Sequence, residues 1–287
     1  MKHLLLAFLL LAQTAQAQGL GPTPRGARAV ALGGAATALG GDPWSAANNA
    51  AGLAAATQPA MGFHLENRYL IPALNVAAVA LALPVGPVEP AAGGQPARAS
   101  RGVAGFEAQR FGGQLYSETR VGAAYGYRLG AIGVGARLDA LQISLQDLGS
   151  RRVLAASLGG QVAVLPADKL TLGAYLYNLN QVRLADYQDE RVPTVLRAGA
   201  AYRPGPQVLL VLETEKDVER DAAVKAGLEY QPTAAVAVRA GYNSAQAQTT
   251  GGAGVQAGGF RFDYAAGWQA TLGLSQYLSV QWQWKRK

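Results

Sequence analysis

The chain has 287 residues, a formal net charge of +7, 36 glycines and only 15% charged residues. This composition disfavours a soluble domain and fits strands crowded around a filled lumen. Lys and Arg are scattered singly instead of clustering, which argues against nucleic acid as a partner, and without cysteine there is no thiol nucleophile.

Residues 1–17 are typical of a secretory signal peptide. Lys2 and His3 form a short polar start, residues 4–11 are apolar, and Ala15-Gln16-Ala17 offers a cleavage site. This apolar run and the longest later one, residues 76–83, fall well short of the roughly 20 residues that a spanning helix needs. The sequence therefore predicts export, cleavage before Gln18, and membrane insertion by strands.

Residues 18–58 are small and glycine-rich, and they are predicted to form a hatch inside or beneath a barrel formed by residues 59–287. A short helix is expected to begin there, with Asp42 as N-cap and Pro43 at the first helical position. A flexible exported leader is the alternative. Gly33 and Gly34 do not indicate a phosphate loop, because no Lys-Ser/Thr follows them.

Residues 222–243 set the pattern for the barrel. Apolar residues alternate with small and polar ones along two runs that are separated by a break at residues 231–233. Tyr230 and Tyr242 end the two apolar rows, which suits lipid on one face and a polar lumen on the other. The same period of two predicts fourteen strands, with twelve as the alternative. The predicted strands are residues 62–70, 75–83, 102–111, 117–129, 131–144, 154–164, 170–180, 194–202, 208–216, 222–230, 236–243, 250–257, 260–268 and 273–284.

The lengths of the connections predict one rim with short turns and one rim with longer loops. Tight turns are expected at residues 129–131, 166–169, 204–206, 231–233 and 258–259, and longer loops at 145–153, 181–193, 217–221 and 244–249. The long stretch 84–100 and the short stretch 269–272 do not follow this alternation. The acidic run 186–191 is interpreted as a solvated loop tip, with a metal or ligand site there as the less favoured alternative.

The period of two also places the charges on one face. Because a charge facing mid-bilayer lipid costs about 2–4 kcal/mol for Arg or Lys, that face is expected to be the lumen. A ladder of such charges would brace the wall or hold the hatch, with a substrate path as the less favoured alternative. The candidate lumenal charges are Arg137, Asp139, Arg197, Glu213, Glu215, Lys225, Glu229, Arg239, Arg261 and Asp263. No catalytic, cofactor or metal constellation is found, so an enzyme is not expected.

With these residues identified, the sequence resembles the FadL-like barrels of the PorV/PorQ type found in Bacteroidetes. The segments that carry the resemblance are 25–28 (RGAR), 32–35 (LGGA), 42–46 (DPWSA), 48–53 (NNAAGL), 110–112 (RFG), 178–179 (NL), 192–193 (VP), 196–199 (LRAG), 213–217 (ETEKD), 227–230 (GLEY), 239–242 (RAGY) and 263–265 (DYA). At Ala50 the family usually has proline. The candidate hatch residues are Arg25, Arg28, Gly33, Gly34, Asp42, Trp44, Asn48, Asn49 and Gly52.

The resemblance implies a barrel of about fourteen strands with a hatch, in the bacterial outer membrane. For function it implies a non-enzymatic accessory of type IX protein secretion, with secretion components or cargo as partners. The alternatives are a FadL-like channel for small hydrophobic molecules and a structural barrel without transport. The apolar row Leu278, Val280, Trp282 and Trp284 resembles a closing-strand signal for the barrel-assembly machinery, and the basic tail 285–287 is expected at lipid headgroups.

Overall fold

The computed structural model describes residues 21–90, 97–165, 169–184 and 191–285. In it, fourteen antiparallel strands form a closed barrel in which the first strand pairs with the last. This confirms the predicted barrel and its count of fourteen strands. The barrel strands are β1 (Ala60–Asn67), β2 (Asn75–Pro84), β5 (Val103–Gly112), β6 (Tyr116–Leu129), β7 (Ile132–Leu145), β8 (Gly149–Ala163), β9 (Leu170–Tyr177), β10 (Val195–Gly205), β11 (Val208–Asp217), β12 (Ala223–Thr233), β13 (Val236–Asn243), β14 (Gln248–Ala257), β15 (Phe260–Gln269) and β16 (Gly273–Gln283). The long connection after β2 carries a separate two-stranded pair, β3 (Val88–Glu89) and β4 (Arg98–Ala99).

Alternation along the strands separates an apolar exterior from a polar interior. On β12, Val224 and Leu228 are 50% and 44% exposed, whereas Lys225 and Glu229 are 2% and 5% exposed. Successive side chains on a strand point to opposite faces, so the large exposed apolar residues form an outer surface around the barrel. Such a surface is stable against hydrocarbon, not against water.

Several strand ends differ from their predicted positions. β10 and β12 continue through register shifts to Gly205 and Thr233, into the predicted turns 204–206 and 231–233. Three other ends differ for local reasons. β1 ends at Asn67 because Tyr69 and Leu70 adopt positive φ angles of 54° and 58° and lead into short 3-10 turns. β8 begins at Gly149 instead of residue 154, because pairing with β7 continues to the hairpin tip. β9 ends at Tyr177 instead of residue 180, because Asn178 has a φ of 55° and turns the chain inward.

The predicted contrast between the two rims is partly wrong. We call the rim where β1 begins and β16 ends the terminal rim, and the opposite one the far rim. On the far rim, residues 113–115, 146–148 and 270–272 form turns of only three residues, because pairing continues almost to the hairpin tips. The loop predicted at 145–153 is therefore mostly strand. The predicted signal peptide, the turn residues 166–168, most of the acidic run 186–191 and the last two residues of the basic tail lie outside the described residues.

Residues 21–58, which we call the hatch, lie inside the barrel. They contain helix α1 (Ala27–Ala31), helix α2 (Ser45–Asn48) and a 3-10 helix, Ala50–Ala55. Helix α1 packs against β13 to β16, and the 3-10 helix packs against β5 to β8 on the other side of the lumen. The carboxylate of Asp42 accepts a hydrogen bond from the Ser45 backbone N at 3.0 Å, so Asp42 caps the turn, but α2 begins at Ser45, two residues later than expected. None of the described helices is long and apolar enough to cross a membrane.

Candidate functional site: the hatch and the lumenal cavity

Glycines on the inner wall let the hatch backbone approach the strands. A Cβ atom on Gly241 would lie 2.1 Å from the backbone N of Gly33, and one on Gly135 would lie 2.3 Å from the carbonyl carbon of Ala50. Neither distance is possible for a real side chain, so any other residue would displace the hatch. The glycine-rich composition thus has a structural role at the contact between hatch and wall.

Arg28 joins helix α1 to an ionic network on β12, β13 and β15. Its guanidinium donates two hydrogen bonds to Glu229, Nε–Oε2 at 2.8 Å and Nη2–Oε1 at 2.7 Å. Glu229 also accepts from Arg239 at 2.5 Å, and Arg239 donates to Asp263 at 2.8 Å. Arg261, more exposed than the others, pairs with Asp263 at 3.2 Å. The hatch therefore supplies one of the cations that balance two buried carboxylates.

Glu213 binds the hatch through the backbone. Its Oε2 accepts hydrogen bonds from the backbone N atoms of Ala36 at 2.9 Å and Thr37 at 2.8 Å. Its Oε1 lies 3.2 Å from Lys225 Nζ, which also donates to Glu215 at 2.7 Å. One buried carboxylate thus satisfies two hatch donors and one wall cation, as a buried charge requires.

Two arginines hold the beginning of the described chain. Arg197 donates to the carbonyl oxygen of Pro22 and pairs with Glu215 at 2.5 Å. Arg120 donates to the carbonyl oxygen of Gly21 at 3.2 Å. Since both arginines lie on wall strands, residues 21 and 22 are fixed within the lumen.

On the opposite side of the lumen, Arg137 holds helix α2. Its Nη1 donates to the carbonyl oxygen of Ala46 at 2.5 Å, while its other nitrogens contact Asp139 and Glu107 at 2.5 and 2.6 Å. Glu107 was not among the candidate lumenal charges, although the alternation of residues 102–111 puts it on the lumenal face.

Arg25 lies at the centre of a fifth contact between hatch and wall. Its Nε donates to Gln109 at 2.5 Å, its Nη1 lies 3.6 Å from Glu66, and its backbone exchanges hydrogen bonds with the Asn48 side chain. Burial lowers the pKa of Arg25 to about 10, opposed by the Glu66 charge. Burial also disfavours charge on Arg28, but the ion pair with Glu229 offsets this and raises its pKa. Both hatch arginines are therefore cations at neutral pH.

The other candidate hatch residues shape the segment itself. Trp44 is buried and packs edge-on against His64, with ring centroids 5.7 Å apart. Gly33 and Gly34 have positive φ angles of 70° and 82° at the end of α1. The hydrogen bonds of Asn49 and Gly52 fix the path of the hatch chain. Asn49 accepts from Ala51 N at 3.1 Å and donates to Thr37 O at 2.7 Å, and the Gly52 carbonyl accepts from Gly41 N at 2.9 Å.

Between the hatch and the far rim lies a cavity of about 420 Å³. Aromatic and aliphatic side chains supply much of its lining, with side-chain amides and the Glu66–Arg68 pair between them. Arg68 lies over the Phe111 ring, 5.2 Å from its centroid. The apolar lining side chains include Val30, Tyr69, Leu74, Phe111, Tyr116, Leu272 and Tyr277. This volume and mixture are typical of a site for a small, largely apolar molecule.

The chain after β9 closes part of the far rim. The Asn178 side chain donates to the Val192 carbonyl at 2.8 Å and accepts from Val182 N at 3.1 Å. Val192 is buried in an apolar cluster with Tyr175 and Tyr177. This cluster narrows the lumen beside β7 to β10. Among the described residues, no group of His, Asp and Glu side chains is placed to hold a metal ion.

Several solved structures have a fold similar to that of this chain. The CymD monoaromatic hydrocarbon channel superposes with a TM-score of 0.65 at 14% identity, covering 93% of this chain and 98% of CymD. The Pseudomonas putida toluene transporter TodX gives 0.62 at 11%, covering 93% and 100%. A Pseudomonas aeruginosa FadL homologue gives 0.57 at 9%, covering 87% and 95%. No protein-family model and no curated sequence matches the chain. The chain therefore has the FadL-type barrel fold.

Proposed function

We propose that this protein is an outer-membrane channel for small apolar or aromatic solutes, with the hatch as its gate. The observation that carries the proposal is the cavity of about 420 Å³, which lies between the far rim and a hatch that contacts both sides of the wall. The apolar exterior supports insertion in a membrane. The similarity to CymD, a monoaromatic hydrocarbon channel, and to TodX, a toluene transporter, supports the solute class.

The arrangement suggests an order of events. A solute enters from the far rim, which faces the outside in this proposal, and binds among Phe111, Tyr116 and Tyr277. It then waits for the hatch to move, because the hatch is in contact with both sides of the wall. Export by the predicted signal peptide and a periplasmic terminal rim complete the proposed topology.

A role as an accessory of type IX secretion is the second candidate. Its support is the set of sequence motifs that run from residue 25 to residue 265. The short far-rim turns leave little surface for a large cargo, so we rank this role below the channel. Copurification of the barrel with secretion components would favour it.

Uptake measurements test the channel. A Gram-negative host that expresses the barrel should take up radiolabelled toluene faster than the same host with empty vector. Leu74→Trp adds bulk to the cavity and should lower the rate to that of the vector control. Leu148→Trp is the matched control, because Leu148 is 81% exposed at a hairpin tip. Equal uptake by parent and vector, with all three proteins folded in the outer membrane, would contradict the proposal.

A further inference from the structure

One row of outward-facing residues crosses the outer wall from rim to rim and changes from apolar to polar near the far rim. Strand pairing puts Tyr264 beside Leu278, Leu278 beside Leu65, Leu65 beside Ala77, and Ala77 beside Arg110. The same register continues to Thr119, Gln142 and Arg152 near the far rim, and in the other direction to Val208 at the terminal rim. The row therefore rises from one rim to the other and turns from apolar to polar between Ala77 and Arg110.

In a membrane-embedded barrel, such a change is expected where hydrocarbon gives way to headgroups. Apolar residues occupy the row up to Ala77, and every residue from Arg110 onward is polar. Arg and Lys at such a boundary extend their charge toward the headgroups. Arg110 is exposed, and it forms no ion pair with an acidic side chain of the described residues.

A trough of about 550 Å³ lies along this part of the wall. Its apolar lining includes Leu65, Ala77, Leu278 and Tyr264, and Arg110 lies at its upper end. The distance along the row from Tyr264 to Arg110 is four strand spacings, about 19 Å. The small Ala77 side chain leaves the depression open next to the cation.

Side-chain amides flank the upper part of the trough. Asn67 and Asn75 pair across β1 and β2, and the Asn67 amide donates to Asn75 at 2.8 Å. Gln276 lies opposite Asn67 on β16. The trough thus offers an apolar channel for a hydrocarbon chain, and one unpaired cation with amide donors where a headgroup would lie.

We propose that this trough binds a membrane lipid with a phosphate headgroup, with its acyl chain along Leu65 and Ala77 and its phosphate on Arg110. Arg110 supplies the complementary charge, since a guanidinium binds phosphate through paired hydrogen bonds. The proposal requires that the barrel be membrane-embedded, but it does not depend on which solute crosses the lumen.

Native mass spectrometry of the purified barrel in detergent tests the site. The probes are phosphatidylglycerol, diacylglycerol with the same acyl chains, and glycerol phosphate. Arg110→Gln should weaken phosphatidylglycerol retention about fivefold, the effect of one cation at a lipid surface. The matched control is Arg152→Gln, which removes the outward arginine three strands away that donates to Gln142 at 2.7 Å instead of lining the trough.

A second pair of variants tests the trough itself. Ala77→Phe fills it and should reduce retention of both phosphatidylglycerol and diacylglycerol, whereas Ala140→Phe, on the exposed face of β7, should retain both. Equal losses in Arg110→Gln and Arg152→Gln would overturn the proposal, as would full retention by Ala77→Phe. Glycerol phosphate binding as tightly as phosphatidylglycerol would show a soluble-phosphate site instead. Normal lipid retention without toluene uptake would refute only the channel function, and normal uptake without selective retention would refute only the lipid site.

Discussion

The ion pair between Arg28 and Glu229 gives a direct test of how firmly the hatch is held. The pair has two hydrogen bonds of 2.7 and 2.8 Å, and its side chains are only 13% and 7% exposed. Arg28→Met removes the hatch partner but leaves Glu229 bound to Arg239 at 2.5 Å. Since the carboxylate stays paired, we expect the free energy of hatch binding to weaken by about 2–3 kcal/mol. This is the contribution expected of hydrogen bonds to charged groups. That loss makes an open hatch about 30- to 150-fold more populated.

The converse variant should cost more. Glu229→Met leaves the guanidinium groups of Arg28 and Arg239 buried, with Asp263 as the remaining carboxylate in contact with Arg239. Removing one partner of a buried ion pair costs about 3–5 kcal/mol, because an uncompensated charge stays buried. Glu229→Met should therefore open the hatch more often than Arg28→Met, although both variants break the same pair.

The absence of cysteine makes a labelling assay possible. A single Ala29→Cys substitution places a thiol in α1, where the alanine is 6% exposed. The rate of its reaction with a bulky maleimide reports hatch opening, and it should rise about 30- to 150-fold in Arg28→Met and further in Glu229→Met. Arg152→Met, outside the lumen, is the control. An unchanged rate in Arg28→Met, or a greater effect there than in Glu229→Met, would refute the proposed energetic role of this pair.

Three further predictions concern assembly and closure. Deletion of residues 18–58 should raise planar-bilayer conductance, and a conductance equal to that of the intact chain would show that the hatch does not close the pore. Glu213→Ala removes the acceptor of two hatch N–H groups and should also increase labelling at Ala29→Cys, whereas the exposed Glu219→Ala should not. Trp282→Ala with Trp284→Ala removes two rings whose centroids lie 4.8 Å apart on the outer wall, and it should lower the heat-modifiable folded fraction. Removal of residues 285–287 should not lower it.

The period of two predicted the barrel well because burial on one face and lipid on the other constrain every strand in the same way. Local backbone conformations were not predictable in this way. Tyr69 and Asn178 adopt positive φ angles, which alternation does not encode, and they end β1 and turn the chain after β9. The period also predicted that Arg239 and Glu229 share the lumen. It did not identify which lumenal carboxylate Arg28 would bind, since the contact with Glu229 joins residues 201 positions apart.

The charged lumen at first argues against an apolar solute, but the positions of the charges remove the objection. Arg28 pairs with Glu229, Arg137 donates to the hatch carbonyl of Ala46, and Glu213 accepts from the hatch N–H of Ala36, so these charges have partners at the level of the hatch. The cavity nearer the far rim is lined by aromatic and aliphatic groups together with side-chain amides, and its charged lining residues are the paired Glu66 and Arg68 and Glu118. In the proposed channel, an apolar solute would meet the cavity first and the polar, closely packed hatch second. Because these ion pairs are buried, salt should screen them weakly. Passage would then depend on hatch movement and not on ionic strength.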